Sequence, residues 1–132
     1  MPVSRFWNPP SLPPPASCYS QAVLTTGATR WLHLSGQLGV GRDGTLADGL
    51  AAQIDQALAN IDAALADANM ARTDLVKLTF YLTKADAASI ATYRARRDVF
   101  IGTATPPTAT LLIVAGLAAP GYLAEIDAVA AA

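Results

Sequence analysis

A change from strand-like to helix-like periodicity near residue 48 constrains the fold of this chain more than any other feature. Beyond it, apolar residues recur at spacings of three and four, which places them on one face of a helix: Leu50, Ile54, Ala57, Leu58, Ile61, Leu65 and Ala68. Asp48 stands where it can cap the start of this helix, and Asn69 lies near its end. We therefore predict one long amphipathic helix that packs on a second layer.

Two runs of alternating apolar and polar residues precede the helix. The runs "YSQAVLTT" and "RWLHLSGQL" carry aromatic and β-branched residues and are separated by Gly27 and Ala28, which predicts a β-hairpin. The segment before them, residues 1–16, is rich in proline. Because proline fits neither a central sheet ladder nor a helix interior, we expect this segment to run extended over the surface.

The second half of the chain repeats the alternation of strand and helix. A strand is predicted at "DLVKLTFYLT", and a second helix follows, capped by Asp86 and ending near Gly102, with Ile90, Tyr93, Arg97 and Phe100 on one face. Two more strands, "TATLLIVAGL" and "YLAEIDAVA", are separated by a turn at Pro120–Gly121. The order β-β-α-β-α-β-β predicts a single α+β domain over residues 1–132, with two helices on one face of a mixed sheet.

Composition and charge narrow the possible functions and partners. Only 14% of the residues are charged and 52% are apolar, so we expect self-association to bury apolar surface. The net charge of −1 gives no basic face, which argues against nucleic acid as a partner. A lone cysteine, Cys18, suits a reducing compartment, and the chain shows neither a signal peptide nor an apolar run of about 20 residues. These features predict a soluble, cytoplasmic protein without a membrane anchor.

Glycine and histidine patterns favour neither a cofactor nor a metal. Gly39, Gly41 and Gly44 match the G-x-G-x-x-G spacing, but a dinucleotide site needs the loop to open directly into a helix, and residues intervene before Asp48. A hairpin turn explains these glycines better. His33 is the only histidine, which leaves too few ligands for a metal site. We expect no cofactor and no metal.

Glu125 is the only glutamate in the chain, and the other nine acidic residues are aspartates. Glu125 and Asp127 are two apart on a predicted strand, so both side chains leave the same face of the sheet. A carboxylate among apolar neighbours is one way to obtain an acid or base for catalysis near neutral pH. An acid that protects an edge strand against aggregation is the structural alternative, and the spacing does not choose between the two.

Several motifs in order resemble the RidA/YjgF family, also known by the name L-PSP endoribonuclease. They are "NPPSLPPPASCYSQAV", "LHLSGQLGV", the helix "QIDQALANIDAALADA" followed by "VKLTFYLT", and "PPTATLLIVAGL" with "AEIDAVA". The resemblance implies a chorismate-mutase-like fold, a homotrimer with ligand clefts between subunits, and hydrolysis of enamines and imines to 2-oxo acids and ammonia without a cofactor. The endoribonuclease activity rests on the family name alone, and the charge of the chain argues against it.

The resemblance also assigns roles to individual positions. The water-handling glutamate of the family falls on Glu125, a cleft tyrosine on Tyr19, and a serine–glycine pair on Ser35 and Gly36. The penultimate strand contributes Ala109, Thr110 and Leu111 to the cleft. An asparagine of the second helix falls near Tyr93.

The arginine that binds the substrate carboxylate in the family does not carry over, because its position is Ala109. Arg94, Arg96 or Arg97 of the second helix could replace it. Alternatively, the cleft binds a more neutral ligand, and the chemistry differs or is absent, which leaves a protein that only binds a metabolite. We favour a neutral ligand, because Ala109, Leu111 and Ile113 would line one strand face without donors other than backbone amides.

Overall fold

The computed structural model of the chain describes residues 2–102 and 105–132. In chain order its elements are β1 (Val3–Trp7), β2 (Ala22–Thr26), β3 (Trp31–Leu38), α1 (Leu50–Asp67), a short 3₁₀ turn (Arg72–Asp74), β4 (Leu75–Leu82), α2 (Ala87–Ile101), β5 (Thr108–Ile113) and β6 (Ala124–Ala131). The predicted α+β order is confirmed, with β1 as an additional strand at the start. Among the described residues, neither helix is long and apolar enough to cross a bilayer.

A four-stranded mixed sheet forms the centre of the fold, in the order β3-β6-β4-β5. The strands β4 and β5 are parallel and are joined through α2, which is the connection that parallel neighbours require. The other two pairings, β3 with β6 and β4 with β6, are antiparallel. The turn predicted at Pro120–Gly121 is present, but β4 lies between β5 and β6, so these two strands do not form a hairpin.

One face of this sheet, here called the helix face, packs against both helices. On β4 and β6 every second residue is buried on this face, with Phe80 and Ile126 at 0% exposure. The predicted stripe of α1 supplies the opposing layer, in which Ile54 and Ile61 are buried. α2 joins the core through Tyr93, whose ring lies edge-on to Phe80 at 4.9 Å between centroids. The opposite face of the sheet, here called the far face, carries Thr79, Tyr81, Glu125 and Asp127 and is half-buried.

The predicted hairpin between "YSQAVLTT" and "RWLHLSGQL" is wrong. β2 pairs with β1 in a separate two-stranded sheet, with Val3 opposite Thr26 and Trp7 opposite Ala22. β3 pairs with β6 instead, because that pairing sets the apolar side chains of Leu32 and Leu34 against the core on the helix face. Apart from Pro2, the prolines of residues 1–16 follow Trp7, so Val3–Trp7 contains no proline and is free to form β1.

The predictions for the helix ends are partly confirmed. Gly49, with φ of 89°, is the N-cap of α1 and provides no side-chain cap, so the assignment of this role to Asp48 is wrong by one residue. Asp86 caps α2 as predicted, and its side chain accepts a hydrogen bond from the Ser89 amide at 3.0 Å. Asn69 follows the last turn of α1 and has a positive φ of 53°.

Candidate functional site

The residues predicted to form the site lie in two places on opposite faces of the sheet. Ser35, Gly36 and Glu125 are together near the join between β3 and β6, where Glu125 projects from the far face. Tyr19, Ala109, Thr110 and Leu111 line a cavity beside α2 at the edge strand β5. Ala109 is opposite Leu78 in the register, so its side chain is directed to the helix face, whereas Glu125 is opposite Tyr81 on the far face. Thr110, opposite Thr79, is directed to the far face and borders the cavity at the edge of the sheet.

A β-bulge in β3 creates the first of these two groups. The register passes from Leu34 opposite Ala128 to Gln37 opposite Ile126, so two residues of β3, Ser35 and Gly36, stand against one residue of β6. Bulges of this kind redirect side chains and occur often beside active sites. The serine–glycine pair identified in the sequence is therefore a local distortion that brings the β3 backbone close to Glu125.

Gly36 makes room for the Glu125 carboxylate. A Cβ atom added at Gly36 would lie 2.0 Å from Oε1 of Glu125, which is far inside any allowed contact. The group that approaches the Gly36 backbone is the Glu125 side chain of the same chain. The pair Gly36–Glu125 thus forms one unit, in which the missing side chain sets the position of the carboxylate.

Two further contacts fix the surroundings of Glu125. Buried Gln53 of α1 donates to the Gly121 carbonyl at 3.0 Å and accepts from the Leu123 amide at 2.9 Å, which anchors the chain just before β6. Beside Glu125, the Tyr81 hydroxyl donates to Asp127 Oδ2 at 2.9 Å.

The hydrogen bond to Asp127 raises the pKa of Tyr81, and burial and the charges of Asp127 and Glu125 act in the same direction. Tyr81 therefore stays protonated and is committed to Asp127. Of the two carboxylates on this face of β6, Glu125 is the one that does not accept the Tyr81 hydrogen bond. In the ranges 2–102 and 105–132, no group of three or more His, Cys, Asp or Glu side chains is arranged to hold a metal ion.

The second group lines a cavity of about 340 Å³, here called the helix-side cavity. Its walls come from the N-terminal segment, α2 and β5: Ala16, Ser17, Tyr19, Tyr93, Arg94, Arg97, Ala109, Thr110 and Leu111. Ser20 holds the N-terminal segment against the start of β5, because its amide donates to the Pro107 carbonyl at 3.2 Å and its hydroxyl donates to Pro106. This attachment explains why Tyr19 and Ala109 share one cavity although they are far apart in the chain.

The three arginines that could replace the arginine missing at position 109 lie in different surroundings. Arg96 forms a two-pronged pair with Asp55 of α1, with both distances at 2.7 Å, and lies away from the cavity. Arg94 and Arg97 both line the helix-side cavity together with Ala109. The expectation that Ala109 and Leu111 face a space without hydrogen-bond donors other than backbone amides is therefore wrong. Two guanidinium groups project from α2 into the space beside β5.

Arg97 is a buried cation, with only 1% of its surface exposed. Its Nε donates to Asp98 at 2.9 Å, its Nη1 donates to the Tyr93 hydroxyl at 3.1 Å, and its Nη2 donates to the Ser17 hydroxyl at 2.8 Å. Burial acts to lower the pKa of Arg97, but the interactions with Tyr93 and Asp98 outweigh it and the pKa is raised. Arg97 therefore remains charged inside the protein.

The sequence offers Arg97 only as one of three possible replacements for the missing arginine and does not point to Ser17, although one signal indicates that Arg97 makes a polar contact inside the fold. Arg97 falls on the same predicted helical stripe as Ile90, Tyr93 and Phe100. A charged residue in an apolar stripe is seldom buried unless it has partners, so its presence there indicated a polar contact inside the fold. The contact with Ser17 could not be anticipated, because it joins residues 80 positions apart.

Two helices on one face of a mixed sheet define a chorismate-mutase-like α+β chain. The family model described as "Endoribonuclease L-PSP" matches residues 10–132. The chain therefore belongs to the L-PSP endoribonuclease family, which is the RidA/YjgF family that its motifs resemble.

Relatives support the same assignment. A "RutC family protein" of Aquifex aeolicus is 40% identical over 75 residues, which are 56% of this chain and 58% of the relative. A crystal structure of a Rid family protein of unknown function from Yersinia pestis is similar with a TM-score of 0.88 and 32% identity, over 98% of both chains. RidA from an Antarctic Psychrobacter gives a TM-score of 0.71 and 26% identity, over 97% of this chain and 99% of the other.

Proposed function

We propose that the chain assembles into a homotrimer that binds a small metabolite in clefts between subunits and hydrolyses an imine or enamine without a cofactor. Membership of the RidA/YjgF family supports this proposal, because the resemblance in sequence implies this assembly and this chemistry. The observation that carries it is the Glu125 carboxylate seated over Gly36 in the β3 bulge. A carboxylate held in this way, without sharing the Tyr81 hydrogen bond, is available to a bound water.

The assembly is supported by the division of the site between two faces of one sheet. Within one chain, Glu125 and the helix-side cavity are separated by the sheet itself. A ligand that contacts both must therefore lie between two copies, with the far face of one subunit beside the cavity of another. Apolar surface on the far face also favours association, since Trp31 is 54% exposed and Leu112 is 45% exposed in the single chain.

In the proposed reaction, Glu125 is the general base and then the general acid. As the water oxygen adds to the carbon of the C=N bond, the π electrons of that bond move to the nitrogen, and Glu125 accepts a proton from the water and passes it to the nitrogen. When the resulting carbinolamine collapses, its hydroxyl gives a proton to Glu125, the nitrogen receives that proton, the C–N bond breaks and ammonia leaves. The balance is one imine and one water consumed, with one carbonyl compound and one ammonia produced. The reaction needs no redox cofactor, because no electrons are transferred.

The substitution Glu125→Gln tests this assignment, because it removes the proton-accepting group and keeps the shape. We expect hydrolysis of 2-imino acids, generated in situ by an amino-acid oxidase, to fall by about 10²- to 10⁴-fold. Asp127→Asn on the same strand face is the matched control and should lose far less activity. Sedimentation velocity verifies that both variants keep the assembly of the wild type.

Two results would contradict the proposal in different ways. Full activity in Glu125→Gln would remove this residue from the mechanism. A wild-type protein that turns over no imine or enamine, but whose melting temperature rises with a metabolite, would indicate a binding protein without catalysis.

A further inference from the structure

We propose that α2 and the N-terminal segment form an anion site in the helix-side cavity, with Arg94 as the contacting cation and Arg97 as a positioning residue. This site takes over the role of the arginine that is missing at position 109, and its ligand carries one carboxylate. The inference rests on the proposed function in so far as the cavity is the substrate site.

Arg97 prepares two hydroxyl groups as donors. It donates hydrogen bonds to the oxygens of Tyr93 and Ser17, and both of these residues line the cavity. Because each hydroxyl already uses its oxygen as an acceptor from Arg97, its own hydrogen is left to donate to a ligand. Tyr19 is arranged in the same way, since its hydroxyl oxygen accepts from the Ala16 amide at 3.3 Å. Ser17, Tyr19 and Tyr93 thus offer hydroxyl donors to one cavity, and none of its described lining residues is acidic.

Arg94 supplies the exposed charge. It lies three residues before Arg97 on α2, so both side chains point to the same side of the helix. Arg97 is too deeply buried to contact a ligand over much of its surface, whereas Arg94 is exposed at the cavity. Arg94 is therefore the group that can form a charge-assisted, two-pronged pair with a carboxylate.

The charges of the lining residues favour a ligand with a single negative charge. The lining residues carry two positive charges, Arg94 and Arg97, and Asp98 offsets one of them through its contacts with Arg97 at 2.8 and 2.9 Å. One net positive charge matches one carboxylate. Ala16, Ala109 and Leu111 form the apolar part of the wall, which fits a small aliphatic substituent on the same ligand.

Alanine at position 109 is consistent with this arrangement. An arginine there would place a third guanidinium beside Arg94 and Arg97 with one carboxylate, Asp98, to offset them. Like charges in a partly desolvated space repel strongly. Alanine at position 109 therefore avoids a third positive charge beside α2.

The test compares binding of 2-oxobutanoate with binding of butanone, its neutral counterpart, by isothermal titration calorimetry on the full chain. In Arg94→Gln we expect affinity for 2-oxobutanoate to fall about 10- to 100-fold, with affinity for butanone unchanged. Arg96→Gln is the matched control on the same helix and should stay within about twofold of the wild type. Equal effects in the two variants, or equal binding of both probes by the wild type, would overturn the proposal.

Two further variants test the positioning role and the replacement. Tyr93→Phe removes one of the hydroxyls that Arg97 orients, and it should weaken 2-oxobutanoate several-fold without affecting butanone. Adding Ala109→Arg to Arg94→Gln should restore carboxylate binding, because a guanidinium then enters the cavity from β5. If Arg94 had only a structural role, no such rescue would occur. A double variant that does not regain 2-oxobutanoate binding would therefore contradict the proposal.

Binding and turnover separate this inference from the proposed function. Glu125→Gln should keep the affinity for 2-oxobutanoate while losing hydrolysis. Selective loss of carboxylate binding in Arg94→Gln without any wild-type turnover would support the anion site and contradict the enzyme. Turnover that depends on Glu125 but is unaffected by Arg94→Gln would support the enzyme and contradict the anion site.

Discussion

At the scale of single residues, Gly36 shows how a glycine can act through the residue above it. Its φ is not in the left-handed region, so the backbone conformation alone does not require glycine here. What requires it is the Glu125 side chain, which occupies the space that a Cβ would fill. The atoms concerned are at the flexible end of Glu125, so a substitution displaces the carboxylate more easily than it displaces the fold.

We predict that Gly36→Ala reduces imine hydrolysis at least about tenfold, because a displacement of about 1 Å at a reacting group is costly. The free energy of unfolding should change by less than about 1 kcal/mol, since alanine also restricts the unfolded chain. Turnover assays and urea denaturation measure the two effects. Gly116→Ala is the control, because an added Cβ there meets no atom within 4 Å. Undiminished activity in Gly36→Ala would show that the position of Glu125 is unimportant.

At the scale of elements, α2 is the part of the fold on which the proposed anion site depends. It begins at Ala87, after the Asp86 cap, and it carries Tyr93, Arg94 and Arg97 towards β5. The Asp86 carboxylate accepts hydrogen bonds from the Ser89 amide at 3.0 Å and from the Ser89 hydroxyl at 2.8 Å. These bonds lower the pKa of Asp86, with the backbone bond as the largest cause and Lys84 adding a small favourable charge.

The lowered pKa of Asp86 gives a signed prediction for stability against pH. A carboxyl group whose folded pKa is below its unfolded value of about 3.9 contributes stability above that value, and the contribution is lost as pH falls through the folded pKa. Asp86→Ala should therefore lower the urea midpoint at pH 7, with the difference from wild type shrinking below about pH 4. Asp86→Asn, which keeps the capping oxygen, should lose much less at pH 7. A difference that is the same at pH 7 and pH 3 would contradict this account.

Elements differ in how well the sequence predicts them, for physical reasons. The stripe of α1 extends over 18 residues, and a period of 3.6 is unambiguous over that length. Strands are short, and contacts far along the chain decide which strands pair. The sequence therefore predicts that β2 pairs with the strand that follows it, β3, whereas its partner in the structure is β1. The family resemblance assigns cleft roles to Glu125, Tyr19, Ser35 and Gly36, and these roles stay predictions. It leaves Arg97 as one of three candidate arginines, because the contact that sets Arg97 apart is with Ser17, 80 positions away.

At the scale of the whole molecule, the proposed trimer assigns a role to the far face of the sheet. Thr79 lies near its centre, opposite Asp127 on β6 and Thr110 on β5. If subunits meet through this face, then each cleft exists only in the assembly. Association and activity should therefore be lost together.

We predict that Thr79→Arg converts a species with the mass of three chains into single chains, as measured by sedimentation velocity. The cause is a long charged side chain in a closely packed interface. Imine hydrolysis should fall to the level of Glu125→Gln in the same variant, while circular dichroism shows a folded protein. Ala63→Arg, on the exposed side of α1, is the matched control and should leave mass and activity unchanged. Single chains in the wild type would contradict the trimer.

The position of Glu125 and the helix-side cavity on opposite faces of one sheet has a consequence for how such a protein can diverge. The backbone of β4 and β6 separates the two groups of side chains, so a substitution in one group does not disturb the packing of the other. Ala109 and Arg97 can then vary together on the helix face while Gly36 and Glu125 remain as they are. A fold divided in this way can change the residues that contact a ligand without changing the carboxylate that is proposed to act on water.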